Sequence, residues 1–360
     1  MFYVAATTHH TTTTMNKLNN EQLAVTNHID SNVITQAGPG TGKTTTLNAY
    51  TDNLIDTQNI AANDVLTLMF NKSIRKEIKN RQSKTNMQST VHTFHSFSLS
   101  LVCDHYKLLG FTARPTTTTK GTKKKNQISY NEMLSLALKL AKAHPKQFKK
   151  SVSHYQYLLV DELQDVNKQH TQLILHLSKH IDNVIMFGDK KQAINGFMGA
   201  DIKYWKQLEE KLRPKSFQLT TTYRLDDASL LFINRVGEEI APNDLPLVSN
   251  NKNGKKIIYR RNTEDSPIDK NKQAEFIADR IAKLVTVHGV HPNQIVCLGR
   301  TNKQLVQLYN ALLGHGLHTD RLYTDRTTTV HLMMVSQILS LSLWYKVHKR
   351  QRNHTLHVEF

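Results

Sequence analysis

Short apolar runs rich in Val, Ile and Leu alternate along this chain with longer segments whose apolar positions recur at helical spacing. NVITQAG (32–38) leads into a helical pattern from about Lys43, DVLTLMF (64–70) into one from about Lys72, and QYLLVDE (156–162) into one from about Lys168. NVIMFGD (183–189) is a further run of the same kind. Apolar strands that each feed a helix predict a parallel sheet covered by helices. The pattern resumes with KKIIYRR (255–261), a helix over Lys272 to Thr286, IVCLGR (295–300) and a helix over Lys303 to Leu313. A second α/β unit is therefore expected after about Phe217.

Two stretches lack a core-forming pattern. Residues 1–14 are dominated by Thr and His and are read as a loose tail, and TARPTTTTKGTKKKNQ (112–127) as a flexible surface loop within a larger insert.

Composition changes this picture through charge. The 360 residues carry a formal net charge of +18, and a field of that size suits a polyphosphate partner. Asp104 to Lys150 holds eleven Lys or Arg against Asp104 and Glu132, half of the excess. Cys103 and Cys297 have no metal-type spacing, which fits a reducing, intracellular setting without a disulfide framework. The opening residues lack the basic and apolar regions of a signal peptide, and no long uncharged apolar stretch suits a bilayer.

The chemistry starts at Ala37-Gly38-Pro39-Gly40-Thr41-Gly42-Lys43-Thr44, a glycine-rich turn between a strand and a helix. Glycines let main-chain N–H groups curl around phosphates, Lys43 reaches the β and γ phosphates, and Thr44 can ligate Mg²⁺. The apolar strand over 158–160 then ends in Asp161 and Glu162: beside a P-loop the first supports the metal and the second is placed to activate water. After the run VIMF, Gln192 is an uncharged donor able to contact a γ-phosphate. Tyr223 and Arg224 offer a face for a base and a guanidinium for a phosphate from a second domain.

The order of these pieces resembles the UvrD/Rep-like DNA helicases of superfamily one, from about Leu18 to about Leu313. LNNEQLAV is similar to the adenine-reading Q motif, with Gln22 as reader; AGPGTGKTTT, including Thr45, to motif I; LLVDELQD to motif II; GDKKQAINGFMGA to motif III; TTYRLDDASL to motif IV. Phe70-Asn71-Lys72 resembles motif Ia, in a form closest to small members such as the F-box helicases and phage relatives, and Thr93-Phe94-His95 resembles motif Ib.

The resemblance implies a P-loop α/β fold of two RecA-like domains, with ATP and Mg²⁺ as cofactors and single-stranded DNA as partner. Lys43, Asp161, Glu162, Gln192 and Arg224 would be catalytic, Thr44 and Asp161 would hold the metal, and Tyr223 would stack on adenine. Phe70, Asn71, Lys72, Thr93, Phe94, His95, Phe197, Arg300 and Asn302 would contact DNA. The first domain is expected over 15–217, with a basic insert at 98–153, and the second, incomplete, over 218–344.

The chain departs from the family at Asn195 and Met198, where a tyrosine and an arginine are usual, which should weaken the link between DNA and the ATP site. After the strand-like run 328–335, the TxHxxKGxE motif and the subsequent arginine motif of the family are missing. Ser336-Gln337-Ile338 can be written TCA CAA ATC, and a one-nucleotide shift reads CAC AAA TCN, or His-Lys-Ser, a typical start of the missing motif. The expectation is a chain of the helicase type that hydrolyses ATP between two RecA-like domains to move on single-stranded DNA; the alternative, to which the missing motifs point, is an ATP- and DNA-binding remnant with little turnover and no strand separation, its tail at 345–360 out of frame.

Overall fold

The computed structural model describes residues 18–70, 90–118, 125–196, 199–241, 244–251, 270–290, 295, 297 and 302–317. The expected N-terminal tail, the helix after Lys72, the strand at 255–261, the strand at 295–300 apart from Ile295 and Cys297, and everything expected from 318 onward lie outside those residues.

Six strands form the central sheet: β1 (Val33–Ala37), β2 (Val65–Met69), β3 (Thr90–Thr93), β6 (Tyr157–Val160), β7 (Asn183–Gly188) and β8 (Lys215–Leu219), in the order β3-β2-β6-β7-β1-β8. Every pairing is parallel, with Val33 opposite Ile185 and Leu68 opposite Val160. The central strands β2 and β6 are buried along their whole length because both faces are covered, as parallel strands require, whereas the edge strand β8 is exposed at Lys215 and Ser216.

Side chains alternate between two cores. Ile34, Leu66, Leu68, Leu158, Val160, Val184 and Met186 face one core, which they share with α3 (Phe94–Asp104), α4 (Tyr130–Ala143), α5 (Pro145–Val152), α6 (Lys168–Leu177) and α7 (Ile202–Leu212). Val33, Val65, Met69, Tyr157, Leu159, Ile185 and Phe187 face the other, which includes Val25 of α1 (Asn20–Thr26) and Leu47 and Tyr50 of α2 (Lys43–Asp52).

The stretch 112–127, read as loop, contains a short strand. β4 (Thr116–Thr118) pairs with β5 (Gln127–Ser129), and the Asn126 side chain closes the turn by accepting the Thr112 N–H at 3.0 Å. β-branched threonines suit an extended backbone once a partner strand is present.

The first compact unit runs to Lys252 and the second starts at Asn253, whereas the sequence pattern suggested a change at 217/218. The first unit thus includes β8, β9 (Thr221–Asp226), α8 (Asp227–Ile240) and β10 (Val248–Asn251), and β10 pairs with β9. In the second unit, α9 (Lys270–Thr286) packs on α10 (Asn302–Gly314) through Ala278, Ile281, Leu308 and Leu312, with Ile295 beside them. Among the described residues no helix is long and apolar enough to cross a membrane.

Candidate functional site

The site forms at the carboxyl ends of β1, β6 and β7, where open parallel sheets bind ligands. β1 runs into the glycine-rich turn, and α2 starts at Lys43. Gly40 and Gly42 take φ of 73° and 84°, the left-handed region that only glycine enters without cost. A Cβ on Gly42 would also lie 2.5 Å from Nε2 of Gln22.

Four carbonyls of the turn are engaged, one within the turn and three from outside it. Gly38 O accepts the Thr41 hydroxyl at 2.8 Å, Pro39 O the Thr222 hydroxyl at 2.9 Å, Gly40 O the Tyr223 N–H at 2.9 Å, and Thr41 O the Gln22 amide at 2.9 Å. The Thr41 N–H is itself spent on Gly38 O at 3.3 Å and Pro39 has none, so the N–H groups of Gly40, Gly42 and Lys43 are those suited to a phosphate.

Gln22 is buried, and its Oε1 accepts the Asn19 N–H at 3.0 Å in the capping box of α1. Its side-chain amide is therefore engaged at both ends, by the helix cap and by the P-loop. The neighbouring Glu21 accepts the N–H groups of Thr220 and Thr221 at 2.9 and 3.2 Å and so holds β9 beside the turn.

Lys43 reaches across to the end of β6. Its Nζ lies 3.4 Å from Asp161 Oδ1 and makes a close ion pair with Glu162 Oε2. Burial works to lower the lysine's pKa, but Asp161 and then Glu162 raise it further than burial lowers it. Burial raises the Asp161 pKa despite Lys43 beside it; Glu162 is also subject to burial, but Lys43 and Gln164 hold it below the usual carboxylate range. Glu162 itself sits at φ 54°, a left-handed position that costs a β-carbon residue about 1–2 kcal/mol and turns its side chain back toward Lys43.

Magnesium in phosphate sites commonly uses one or two protein oxygens together with phosphate oxygens. Asp161 Oδ2 is buried and has no hydrogen-bond partner among the described residues, so it is a free acceptor of the right hardness. Thr44 follows Lys43 in the first turn of α2 and is half-buried. These residues fit the ion.

A hydrogen-bonded network then joins the three strand ends. Gln164 donates to Glu162 Oε2 at 2.6 Å and accepts the Asp189 N–H at 2.9 Å. Fully buried Asp189 accepts from Gln36 at 2.7 Å, from the Lys191 N–H at 3.0 Å and from Gln192 Nε2 at 2.7 Å. Gln192 is thus held at the end of β7, one hydrogen bond from the residue that Gln164 ties to Glu162. Sequence reading singled out neither Gln164 nor Gln36; their signal is an amide side chain at the end of an apolar strand or one turn beyond it.

β9 places Tyr223 and Arg224 next to the turn: an added Cβ on Gly40 would come within 2.6 Å of Arg224 Cβ. The Tyr223 ring is 45% exposed, open to a planar ligand. Both residues belong to the first compact unit rather than to the second, because the Tyr223 N–H and Thr222 hydroxyl bind the P-loop carbonyls.

The residues expected to meet DNA divide. Phe94 is 1% exposed and is a core residue, in ring contact with Phe70 and His170 at 5.2 and 4.7 Å between centroids, so it presents no face for a base. Thr93 is buried as well, and its hydroxyl caps α3 by accepting the Ser96 N–H at 3.1 Å. Phe70 is half-buried beside them. His95 stacks on half-exposed Tyr130 at 3.7 Å and 13°, a ring pair that sequence reading missed. Asn71, Lys72, Phe197 and Arg300 lie outside the described residues, and of Asn302 only its place at the start of α10 is described.

The model of the UvrD/REP helicase N-terminal domain matches residues 18–122 and 116–213. A probable DNA helicase II homolog of Mycoplasma pneumoniae is 29% identical over 207 residues, covering 55% of this chain and 28% of that protein. The ATP-dependent DNA helicase PcrA of Staphylococcus aureus is 24% identical over 363 residues, covering 81% of this chain and 48% of that protein. Among solved structures, the Pif1 helicase from Candida albicans matches with a TM-score of 0.37 and 16% identity, over 61% of this chain and 43% of that one. The chain spans about half or less of the length of these curated relatives.

Proposed function

The chain belongs to the UvrD/REP helicase family, and on that premise we propose that it hydrolyses ATP with Mg²⁺ to move along single-stranded DNA. The observation that carries this reading is the meeting of Lys43, Asp161, Glu162 and Gln192 at three adjacent strand ends beside the glycine-rich turn.

In this mechanism the main-chain N–H groups of Gly40, Gly42 and Lys43 and the Lys43 ammonium bind the β and γ phosphates, and Asp161 with Thr44 would hold the metal. The ion supplies positive charge where negative charge builds on the phosphates. Glu162, ionised at neutral pH, accepts the proton of the attacking water; its oxygen bonds to the γ-phosphorus as the bond to the β–γ bridging oxygen breaks. Gln164 keeps the Glu162 carboxylate aimed, and Gln192 and Arg224 contact the transferring group, where a positioned arginine adds about 10³–10⁵ in rate. Tyr223 stacks on the adenine, and Phe70 with His95 at the start of α3 contacts the single strand.

ATP turnover by the 360-residue chain, measured with and without single-stranded DNA, tests this. The expected result is turnover that rises with DNA and vanishes in Glu162→Gln. Turnover indifferent to both DNA and that substitution would overturn the reading.

A further inference from the structure

At the far end of the sheet from the P-loop, two separate parts of the chain bring lysines to one surface. α6 leaves the carboxyl end of β6 and runs back, so Lys179 and His180, between α6 and β7, lie at the amino ends of the strands. α5 ends just before β6 begins and lies at the same end.

Here Phe148 of α5 is in ring contact with His176 and His180, at 6.2 and 6.1 Å. Around this group Lys139 and Lys142 of α4, Lys146, Lys149 and Lys150 of α5, and Lys179 are all exposed. None of the six makes an ion pair among the described residues, although lysines elsewhere in the chain do.

Acidic residues are few, Asp182 after His180 being the one in that connection. Across α4, α5 and α6 only Glu132 is acidic, and it sits at the start of α4 with its carboxylate accepting from the N–H and hydroxyl of Ser129 at 2.8 and 2.7 Å. The two histidines register the crowding. Burial first, then Lys179, Lys142 and His180, hold His176 below the usual histidine range; burial, Lys149 and Lys179 do the same for His180. A groove of about 380 Å³ opens between α4 and α6, lined by Lys139, Lys142, Gln169 and Gln172, which adds amide donors to the charge.

We propose that this face is a second nucleic-acid contact, which holds the phosphate backbone of a duplex segment while the motif loops at the opposite end of the sheet take the single strand. The proposal rests on the DNA-dependent reading above, but not on catalysis. Unpaired like charges on one surface repel one another, and a run of phosphates relieves that repulsion while releasing its own counterions. A regular duplex presents phosphates along a surface that three packed helices can meet without rearranging. Lysine side chains suit this contact because they bind phosphate as point charges, without demanding a fixed fork geometry.

The test uses the full chain, a short DNA duplex and a single strand of equal length. Lys142, Lys149 and Lys179 are replaced together by Gln; all three are exposed, so the fold should persist. Duplex affinity is expected to fall severalfold, the slope of log K against log salt to lessen by roughly 2 to 3, and ATP affinity to stay unchanged. In the wild-type chain, saturating duplex should raise the pKa values of His176 and His180 read by NMR, because phosphates stabilise the imidazolium form. Duplex binding that leaves both histidines unmoved and is unaffected by the triple substitution overturns the proposal. So does equal, lysine-dependent binding of poly-glutamate, which would mark a face for acidic protein, or a loss confined to single strands. Failure of ATP turnover to respond to DNA, with duplex binding still lost in the triple variant, would overturn the functional reading and leave this one standing.

Discussion

Gln164 donates to the Glu162 carboxylate at 2.6 Å with one end of its amide and accepts the buried Asp189 N–H with the other. One side chain thereby fixes the proposed base to the segment that carries Gln192. Replacement by Leu removes both bonds and leaves a buried N–H without a partner, a loss of about 1–3 kcal/mol. Gln164→Leu should lower stability by that amount in urea unfolding and lower kcat more than it raises KM for ATP. An unchanged kcat would rule out the positioning role.

Lys43 is the one cation of the P-loop, and it also pairs with Asp161 and Glu162. Charge-assisted hydrogen bonds contribute about 1.5–3 kcal/mol each, so Lys43→Ala should weaken nucleotide binding by about 10- to 100-fold in a fluorescent-ATP titration. Equal affinity in both proteins would sink the site assignment.

Glu162→Gln keeps the size of the side chain and removes its basicity. ATP binding should persist while hydrolysis falls by about 10²–10⁴, the usual contribution of general-base catalysis. Single-turnover kinetics separates the two effects; loss of binding with the chemistry intact would contradict the assigned role.

Asp165 is pushed up to about 6 from an ordinary 3.8, by burial first, with the Asn195 hydrogen bond at 2.7 Å pulling the other way. Its ionisation therefore opposes folding: the full penalty is present above about pH 6 and is lost as the pH falls below about 4. Asp165→Asn, which can still accept from Asn195, should be more stable than the parent at pH 7 by up to about 2 kcal/mol, with the advantage gone at pH 4. Thermal unfolding at the two pH values decides this, and a constant difference would show that the carboxyl is not perturbed.

Gly42 combines a left-handed backbone with the close approach of Gln22. Gly42→Ala should cost about 1–2 kcal/mol in backbone strain alone and disturb the turn proposed to bind nucleotide. Adding Gln22→Ala relieves the crowding but not the φ angle, so it should restore ATP affinity only in part. Full recovery in the double variant would place the whole cost in the side-chain clash.

The strand-turn-helix at 33–52 and the alternation behind the six-stranded sheet were legible because they rest on local properties: apolar runs, glycine where φ is positive, and a helix start after Gly42. The two carboxylates after β6 were legible for the same reason, since an apolar strand that stops abruptly leaves its next two residues at the sheet's edge. Phe94 was not. An aromatic residue in the first turn of a helix can face solvent or the sheet, and here His170 and Phe70, from elsewhere in the chain, complete the pocket that buries it. The 112–127 stretch misled for a related reason, because a Thr run has little to bury and becomes strand only when Gln127–Ser129 supplies the partner.

By itself the sequence determined the sheet class, the glycine-rich turn and the identity of the groups at the strand ends, all of which depend on spacing within a few residues. Tertiary structure alone decided which amides those groups bind, which aromatic rings remain open, and that Lys142, Lys149 and Lys179 share one surface. Burial and charge proximity arise between residues far apart in the chain, and no local pattern encodes the distance that packing gives them.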